Sequence, residues 1–394
     1  SRQLSAEPPN RDATATCPIK EPKSTIMTAM NHFTLSRDAV PLDTVRRALV
    51  IKLRHHGDVL LSSPVFSVLK AHAPQIGIDA LVYAETAEML TLHPAIDLVH
   101  RIDRQWKNLA VWAQMRAELA LYQTLRARSY DLLIHLTEHW RGAWLCRLLK
   151  PRWSVGPAVN GRGKRWRESF SHLQRAPRNA LRHTVESNLD ALRCIGIQPL
   201  PSERRTLLVA GMAAEARVGQ QLQALGLTAG RFIHIHPASR WLFKCWTIDG
   251  MAALIDRLHA EGWPVVLTGA PDPAELALVT AIQKQLRQPA HSLAGSLSLK
   301  DLAALTQAAR LFIGVDSAPM HIAAAVGTPV VALFGPSGDK QWGPWGVAAR
   351  VVSSGQHPCR PCGIDGCGGG KISDCLTALS VDEVLAAVHA LLDR

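Results

Sequence analysis

The sequence predicts an α/β protein built from two doubly wound domains. Short apolar segments alternate with helical segments along most of its 394 residues. The alternation occurs twice, on either side of a stretch at residues 196–205 that is rich in proline and charge. Strands that alternate with helices in this way form parallel sheets covered by helices on both faces. We therefore expect two Rossmann-like domains that face each other across a cleft.

The first domain is expected to begin near Arg46. Its predicted strands are ALVIKL (48–53), IDALVYA (78–84), DLVHRI (97–102) and YDLLIHL (130–136). Helices are predicted at 64–74, 85–94 and 106–128, and RHHGDVLLSSP (54–64) is predicted to be a loop. The polar segment before this domain lacks the apolar core of a signal peptide. We expect residues 1–45 to be a disordered extension, residues 46–200 to be the first domain, and the protein to be cytoplasmic.

The second domain, residues 201–394, repeats the design. Strands are predicted at 231–237, 263–269, 311–315 and 330–334, and helices at 247–261, 273–286 and 381–392. The last helix could pack back on the first domain. Between the strands at 311–315 and 330–334, Asp316 and Ser317 precede a helix with Pro319 in its first turn and Gly327 at its end. At roughly 150 residues per domain, each domain is long enough to bury its own core.

The helix that follows Ser317 is a candidate anion site. Its free N–H groups and its dipole would face the carboxyl edge of a parallel sheet, where both favour negative charge. Any strand–helix–strand unit has this arrangement, so the pattern alone does not decide between a site and ordinary packing.

Two further loops end at the same predicted edges. Asp58 follows Gly57 near a helix N-terminus, where its carboxylate either caps the helix or accepts a proton from a hydroxyl group. In HPASRWLFKCW (236–246), Ser239 could hydrogen-bond a phosphate and Lys244 could neutralise it, unless the loop is only a solvated one. In TGAPDPAE (268–275), Asp272 and Glu275 could bind ribose hydroxyls or cap the next helix.

The formal net charge is +12, which predicts an acidic partner. Residues 141–183 hold eleven basic residues and one acid, Glu168, with three tryptophans between them and Trp140 directly before them. Nucleic acid, anionic lipid or a phosphorylated sugar would fit such a surface. The basic residues are Arg141, Arg147, Lys150, Arg152, Arg162, Lys164, Arg165, Arg167, Arg175, Arg178 and Arg182.

The sequence gives little support for a metal or a dinucleotide cofactor. HLTEH (135–139) has a zinc-like spacing, but His135 ends a predicted strand, whereas that motif needs a helix. The tail holds Cys359, Cys362, Cys367 and Cys375 with irregular spacing, which leaves a structural metal, a disulfide or a packed loop with thiols. No G-x-G-x-x-G follows the first strand, and no P-loop motif occurs.

Taken together, three motifs resemble a known family. ALVIKLRHHGDVLLSSPVFSVLKAHAP, HPASRWLFKCW and GVDSAPMHIAAAVGTPVVALFGPS, in this order, are similar to the lipopolysaccharide heptosyltransferases, family 9 glycosyltransferases of the GT-B fold. HLTEHWRG, WRESFSHL, VESNLDAL and the cysteine-bearing tail resemble the heptosyltransferase III subgroup most closely. The resemblance implies an inverting transfer from ADP-L-glycero-β-D-manno-heptose to the second heptose of the inner core.

The resemblance also implies roles for residues. Asp58 corresponds to the catalytic base, and the donor-binding positions are Ser239, Lys244, Asp272, Asp316, Ser317, Ala318 and His321, with Glu275 as an alternative to Asp272. Pro319 departs from the family pattern and removes one N–H from the donor loop. No cofactor is required, although Mg²⁺ stays compatible with the chemistry.

For the acceptor, a phosphorylated inner core at an anionic membrane surface, we expect contacts from Arg54, His56, Arg141, Arg162, Lys164, Arg165 and Arg167. We expect a monomer, peripheral to the inner membrane, that binds no nucleic acid. The alternatives are a heptosyltransferase I or II, a GT-B binding protein for anionic glycans, and a basic nucleic-acid binder.

Overall fold

In the computed structural model, which describes residues 39–175 and 181–393, the strands form two six-stranded sheets with parallel pairing throughout. Most of the predicted extension lies outside these ranges. Its last part belongs to the fold, because Val40 and Val45 are buried and the Val40 N–H donates to the Ile195 carbonyl. The described chain therefore begins before Arg46.

Both sheets have the doubly wound strand order, β3-β2-β1-β4-β5-β6 and β12-β11-β10-β7-β8-β9. The strands of the first sheet are β1 Arg47–Ile51, β2 Gly77–Tyr83, β3 Leu98–Ile102, β4 Leu132–His135, β5 Trp153–Ala158 and β6 His172–Arg175. Those of the second are β7 Ile233–His236, β8 Val265–Leu267, β9 His291–Ser292, β10 Leu311–Val315, β11 Val330–Leu333 and β12 Ala349–Val352. In each sheet the strand order reverses beside the first strand, β1 or β7, which is where open α/β sheets bind ligands.

The α-helices are α1 His56–Leu60, α2 Ser63–His72, α3 Val111–Ala127, α4 Trp140–Leu149, α5 Lys164–Arg167, α6 Thr184–Arg193, α7 Met212–Ala224, α8 Ile248–Ala260, α9 Pro273–Gln285, α10 Leu299–Ala308, α11 Ala318–Val326, α12 Asp339–Trp342, α13 Asp374–Thr377 and α14 Val381–Leu392. Short 3₁₀ helices cover Leu42–Thr44, Ala84–Met89, Arg104–Asn108, Pro201–Glu203, Leu242–Lys244 and Cys367–Gly369. None of the described helices is both long enough and apolar enough to cross a membrane.

The first sheet departs from the sequence prediction at several elements. The predicted loop at 54–64 contains α1, because Val59 and Leu60 are buried and close a helical turn. The predicted helix at 106–128 breaks at Leu109 and Ala110, which have extended backbone angles. The predicted helix at 85–94 is a 3₁₀ helix, and β5 and β6 were not predicted because charged residues surround these short strands.

The two sheets share one apolar core, in addition to the cores on their outer faces. That core joins Val50 and Ile134 of the first sheet to Phe232 and Val266 of the second and to Ile322 of α11. This core spans both sheets because α1 packs directly against α11, and α10 packs against the 3₁₀ helix Ala84–Met89. The 46–200 and 201–394 halves are thus continuous through buried side chains.

The outer faces of the sheets have their own cores. Leu121 and Leu125 of α3 and Ala143 of α4 pack on Leu49 and Leu133 of the first sheet. The outer face of the second sheet packs against α8, α9 and α14. The last helix, α14, covers the second sheet, because its apolar stripe meets β11, β12 and α8. It does not pack back on the first domain, which the sequence analysis had considered.

A half-buried lysine, Lys300, also joins the halves. Lys300 Nζ on α10 donates to the carbonyls of Thr91, at 2.9 Å, and Val209, at 2.5 Å. Burial lowers the Lys300 pKa to about 8. This side chain therefore ties the second sheet to the loop after β2 and to the segment that connects the two halves.

Candidate active site

Three loops meet where the central strands of the two sheets end. The loop after β1 carries Asp58, the loop after β7 carries Ser239 and Lys244, and the turn after β10 carries Asp316 and the start of α11. β7 and β10 are hydrogen-bonded neighbours, with Gly314 opposite His236. The two loops of the second sheet consequently lie side by side, opposite the loop from the first.

Lys244 and Asp316 form an ion pair with each other. Lys244 Nζ donates to Asp316 Oδ2 at 2.6 Å, and both side chains are largely buried. Nζ also lies 5.0 Å from the centre of the Trp241 ring. Since an ammonium group has three donor hydrogens, the ion pair leaves two of them for a further acceptor. The sequence analysis gave these two residues separate donor contacts and did not foresee that they pair.

The N-terminus of α11 has two polar atoms without partners. Ser317 is the N-cap with an extended backbone, yet its Oγ is buried and makes no hydrogen bond to any described residue. His321 Nδ1, in the first turns of the same helix, is in the same situation. Pro319 contributes no N–H, so the amides of Ala318 and Met320 remain at the helix start. Free amides, an unpaired hydroxyl and the helix dipole together make a site for an anion.

Asp58 lies against α11 from the opposite side. A Cβ atom on Gly57 would be 2.8 Å from His321 Cδ2, so the backbone of α1 touches the imidazole ring. Burial lowers the His321 pKa to about 4, although the charges of Asp316 and Asp58 act in the opposite sense. His321 is therefore neutral at pH 7. It stands between the carboxylate of the first sheet and the ion pair of the second.

The structure argues against a capping role for Asp58. The N-cap of α1 is His55, and Asp58 is the third residue of the helix. Within residues 39–175 and 181–393, the Asp58 carboxylate accepts no hydrogen bond. Asp58 is partly exposed, so its carboxylate is available to a ligand. On the same edge, the His55 ring meets the Trp241 ring edge-on at 6.1 Å, which brings the loops after β1 and β7 together.

The two candidate acids after β8 have different roles. Asp272 is the exposed N-cap of α9 and accepts the N–H groups of Ala274 at 2.9 Å and Glu275 at 3.3 Å. Glu275 is buried, accepts the Ala270 N–H at 2.9 Å and lies 3.7 Å from His236 Nε2. Burial raises the Glu275 pKa. The sequence analysis preferred Asp272, but its Oδ1 caps the helix, whereas Glu275 is buried beside His236.

Ser239, the remaining residue predicted to bind the donor, lies in the same loop as Lys244. It is buried, and its Oγ accepts the Trp241 N–H at a long 3.4 Å. Its hydroxyl hydrogen is therefore available to an acceptor on a ligand.

Arginines from separate elements surround the first-sheet side of the cleft. Burial lowers the pKa of His139, and positive charges lower it further. The positive charges that lower the His139 pKa belong to four arginines, which we call the arginine rim: Arg54, Arg104, Arg141 and Arg162. The sequence analysis missed Arg104, which donates to the Arg54 carbonyl at 3.2 Å, pairs with Glu85 at 2.7 Å and covers the Tyr83 ring at 4.1 Å.

The other predicted acceptor residues are more dispersed. Lys164, Arg165 and Arg167 are exposed on α5, where Lys164 is 3.5 Å from Glu168. His56 Nε2 is hydrogen-bonded to the Glu85 carbonyl at 2.8 Å. Trp166 is fully buried and donates to the Pro157 carbonyl, so this indole is core and not part of a basic surface as its sequence position suggested. Arg178 lies outside the described residues.

The sequence motifs with metal-like spacing do not assemble a centre in the described part of the chain. His135 ends β4, is buried, and has its Nε2 hydrogen-bonded to the His139 carbonyl at 3.0 Å. No group of three or more His, Cys, Asp or Glu side chains there is arranged to hold a metal ion. Cys359, Cys362, Cys367 and Cys375 are free thiols, and burial raises the Cys375 pKa. Cys17 lies outside the described ranges.

The fold and these three loops define a two-domain GT-B glycosyltransferase. The family model for "Glycosyltransferase family 9 (heptosyltransferase)" matches residues 118–372. Lipopolysaccharide heptosyltransferase 3 of Escherichia coli K12 is 39% identical over 295 residues, which is 74% of this chain and 83% of the relative. The chain therefore belongs to glycosyltransferase family 9, the heptosyltransferases, as the sequence motifs indicated.

Solved structures of similar fold agree with the two-sheet architecture. A family 9 glycosyl transferase from Veillonella parvula has a TM-score of 0.77 at 23% identity, covering 90% of this chain and 99% of that one. The heptosyltransferase WaaC of E. coli, solved with ADP, has a TM-score of 0.67 at 19% identity, covering 88% and 99%. At these identities the likeness establishes the fold, and the roles of individual residues rest on the geometry described above.

Proposed function

We propose that this protein is an inverting lipopolysaccharide core heptosyltransferase. It would transfer heptose from ADP-L-glycero-β-D-manno-heptose to heptose II of a phosphorylated inner core. The observation that carries the proposal is the opposition of Asp58 to the Lys244–Asp316 pair and the α11 N-terminus across His321. Similarity to a curated heptosyltransferase 3 over three quarters of the chain supports the type III assignment.

The proposed reaction uses the two sides of the cleft differently. Asp58 accepts the proton of the acceptor hydroxyl while the oxygen of that hydroxyl attacks the anomeric carbon of the donor. The bond between that carbon and the diphosphate breaks, and ADP leaves with the electron pair. Lys244 and the N-terminus of α11 stabilise the negative charge that develops on the diphosphate. The configuration at the anomeric carbon inverts because the attack comes from the face opposite the leaving group.

The second sheet supplies the donor contacts in this proposal. Ser317 Oγ and His321 Nδ1 are unpaired and lie beside the free amides of α11, which suits diphosphate oxygens. Ser239 reaches the same group from the loop after β7. Glu275, rather than Asp272, is the carboxylate that we assign to the ribose hydroxyls, because Asp272 is occupied as a helix cap.

The arginine rim supplies the acceptor contacts. Arg54, Arg141 and Arg162 bring fixed positive charge to the side of the cleft that holds Asp58. Guanidinium groups bind phosphate in bidentate fashion, so the rim suits phosphorylated heptose. His56, Lys164, Arg165 and Arg167 would act further along the acceptor. Residues 46–200 thus bind the acceptor and 201–394 the donor, in a monomer that works at the cytoplasmic side of the inner membrane, without nucleic acid and without a required cofactor.

Mass spectrometry of defined acceptors tests the proposal. The purified chain and ADP-heptose are incubated with truncated cores that carry no heptose, one heptose or two heptoses. A gain of one heptose only on the two-heptose core is the expected result. Transfer to either of the shorter cores would instead assign a type I or type II enzyme. ADP binding without transfer to any core would leave a glycan-binding protein as the remaining interpretation.

A further inference from the structure

We propose that the outward surface of α3 and α4 docks on an anionic lipid bilayer. This inference rests on the proposed function for its biological setting, since that acceptor is anchored in a membrane. The apolar residues that carry it lie outside the proposed active site. We call this surface the α3–α4 face and define it by Val111, Trp112, Met115, Leu119, Trp144 and Leu148.

The apolar side chains of α3 lie outside the core. Trp112 is 81% exposed, Val111 69%, Met115 56% and Leu119 54%. At 100° per residue these four positions lie within a 100° arc of the helix. The buried side of α3, with Leu121 and Leu125, packs on the sheet, so the exposed arc is a second apolar stripe.

Helix α4 extends this surface. Trp144 and Leu148, one turn apart, are 53% and 54% exposed. The ion pair between Arg141 of α4 and Glu118 of α3 holds the two helices side by side. Of the seventeen large apolar side chains exposed in residues 39–175 and 181–393, seven lie between residues 109 and 148. Exposed apolar residues in folded proteins are normally scattered, and a cluster marks an interaction surface.

The charge on the same helices favours a bilayer over the other partners. α3 and α4 contain four arginines and one acid, and that acid, Glu118, is already paired with Arg141. Apolar and aromatic residues flanked by arginine are typical of protein surfaces that enter the interface of an anionic membrane. Nucleic acid would be bound through phosphate and base contacts, which exposed Val, Met and Leu side chains do not make.

The position of the face supports the same partner. Trp112 and Arg116 are one turn apart on α3, at the edge of this face. This spacing places an indole beside a guanidinium group, which suits the boundary between acyl chains and headgroups. Arg141 belongs both to the inter-helix ion pair and to the arginine rim, so the α3–α4 face continues directly into the acceptor side of the cleft.

Vesicle co-sedimentation of the purified full chain tests the inference. The vesicles are phosphatidylcholine alone or phosphatidylcholine with phosphatidylglycerol. The test variant is Trp112→Gln/Met115→Gln/Leu119→Gln, and the matched control is Leu200→Gln/Met212→Gln, which changes apolar residues that are 60% and 86% exposed elsewhere. We expect wild type and control to bind the anionic vesicles, and the test variant to bind about tenfold or more weakly with an unchanged melting temperature.

Two further measurements separate this inference from the proposed function. Arg116→Gln/Arg126→Gln should weaken vesicle binding and reduce its dependence on salt. If the triple variant melts at a lower temperature than wild type, Trp112→Gln alone replaces it as the test variant. Heptose transfer to a water-soluble, delipidated core should be equal in wild type and test variant. If the wild type does not transfer heptose to this soluble core, the proposed function is wrong, but the vesicle result still supports the docking surface.

Three outcomes would overturn the docking surface itself. These are equal vesicle binding by the test variant, preferential binding of RNA over anionic vesicles, and a concentration-dependent dimer that only the test variant abolishes.

Discussion

Gly57 and His321 are in contact across the cleft, so that a Cβ atom on Gly57 would stand 2.8 Å from the imidazole Cδ2. Real Cβ atoms do not approach a ring so closely. The glycine therefore sets the distance between α1, which carries Asp58, and α11, which begins at the proposed diphosphate site. One missing side chain thus fixes the separation between the proposed base and the leaving group.

Gly57→Ala should disturb this contact. The added methyl group must displace the buried ring or the α1 backbone, and overpacking of this kind costs about 1–3 kcal/mol in the free energy of unfolding. Transfer should fall because Asp58 moves. Thermal melting and steady-state kinetics measure both effects, and Gly57→Ala/His321→Ala should recover part of the stability. A fully stable, fully active Gly57→Ala protein would contradict the contact.

Asp58→Asn should remove the proposed base while keeping its size. We expect the turnover rate to fall by about 10²–10⁴-fold, the usual contribution of a positioned base. ADP affinity, measured by calorimetry, should not change, because Asp58 lies on the acceptor side. Asp43→Asn, at an exposed position outside the cleft, is the matched control. Retained turnover in Asp58→Asn would remove it from this role.

Lys244→Met should weaken ADP binding. A lost hydrogen bond to a charged group costs about 1.5–3 kcal/mol, or roughly 10–150-fold in affinity. Part of that loss could come from leaving Asp316 buried without its partner. Lys244→Met/Asp316→Asn separates the two causes. If Lys244 contacts the donor, the double variant stays weak, whereas recovery of wild-type affinity would mean that the lysine only neutralises Asp316.

Glu275→Gln should change ADP affinity, whereas Asp272→Ala should change stability. Glu275→Gln should weaken ADP binding with little loss of stability, because the amide still accepts the Ala270 N–H. Asp272→Ala should lower the free energy of unfolding by about 1 kcal/mol, the usual cost of a lost N-cap, and leave ADP affinity unchanged. Calorimetry and denaturant titration on both variants distinguish these roles. The reverse pattern would restore Asp272 as the donor residue.

His321 should make stability depend on pH in mildly acid solution. Burial lowers its pKa to about 4, so between about pH 6.5 and pH 4 the unfolded chain binds a proton that the folded chain excludes. The free energy of unfolding must then fall as the pH is lowered through this range, by on the order of 3 kcal/mol from this group. His321→Gln should make the curve of melting temperature against pH shallower. An unchanged slope would mean that His321 is protonated in the folded protein.

The sequence predicted the elements whose signals are local. Strand β10 and the end of α11 at Val326 agree with the prediction, because a buried apolar run precedes the helix and Gly327, at φ +87°, ends it. The cap role of Asp272 was also readable from DPAE, since a cap residue with Glu three positions later is a helix-start pattern. From the sequence alone, the same carboxylate fits ribose binding equally well.

The relationships across the fold could not be predicted in this way. Lys244 and Asp316 are 72 residues apart, and their pairing depends on two neighbouring strands ending together. The arginine rim joins four separate elements, and Arg104 has no sequence feature that distinguishes it from other surface arginines. The burial of Trp166 reverses a prediction from composition, because a tryptophan between arginines can face the core when the helix turns it inward.

The shared apolar core has a consequence for how the chain can be divided. Phe232, Val266 and Ile322 belong to the same buried cluster as Val50 and Ile134 of the first sheet, so a cut near residue 200 would expose part of that cluster on each fragment. We therefore expect neither half of the chain to be fully stable as a separate fragment. The two halves cannot be exchanged with those of a relative as independent modules unless the buried surface is exchanged with them.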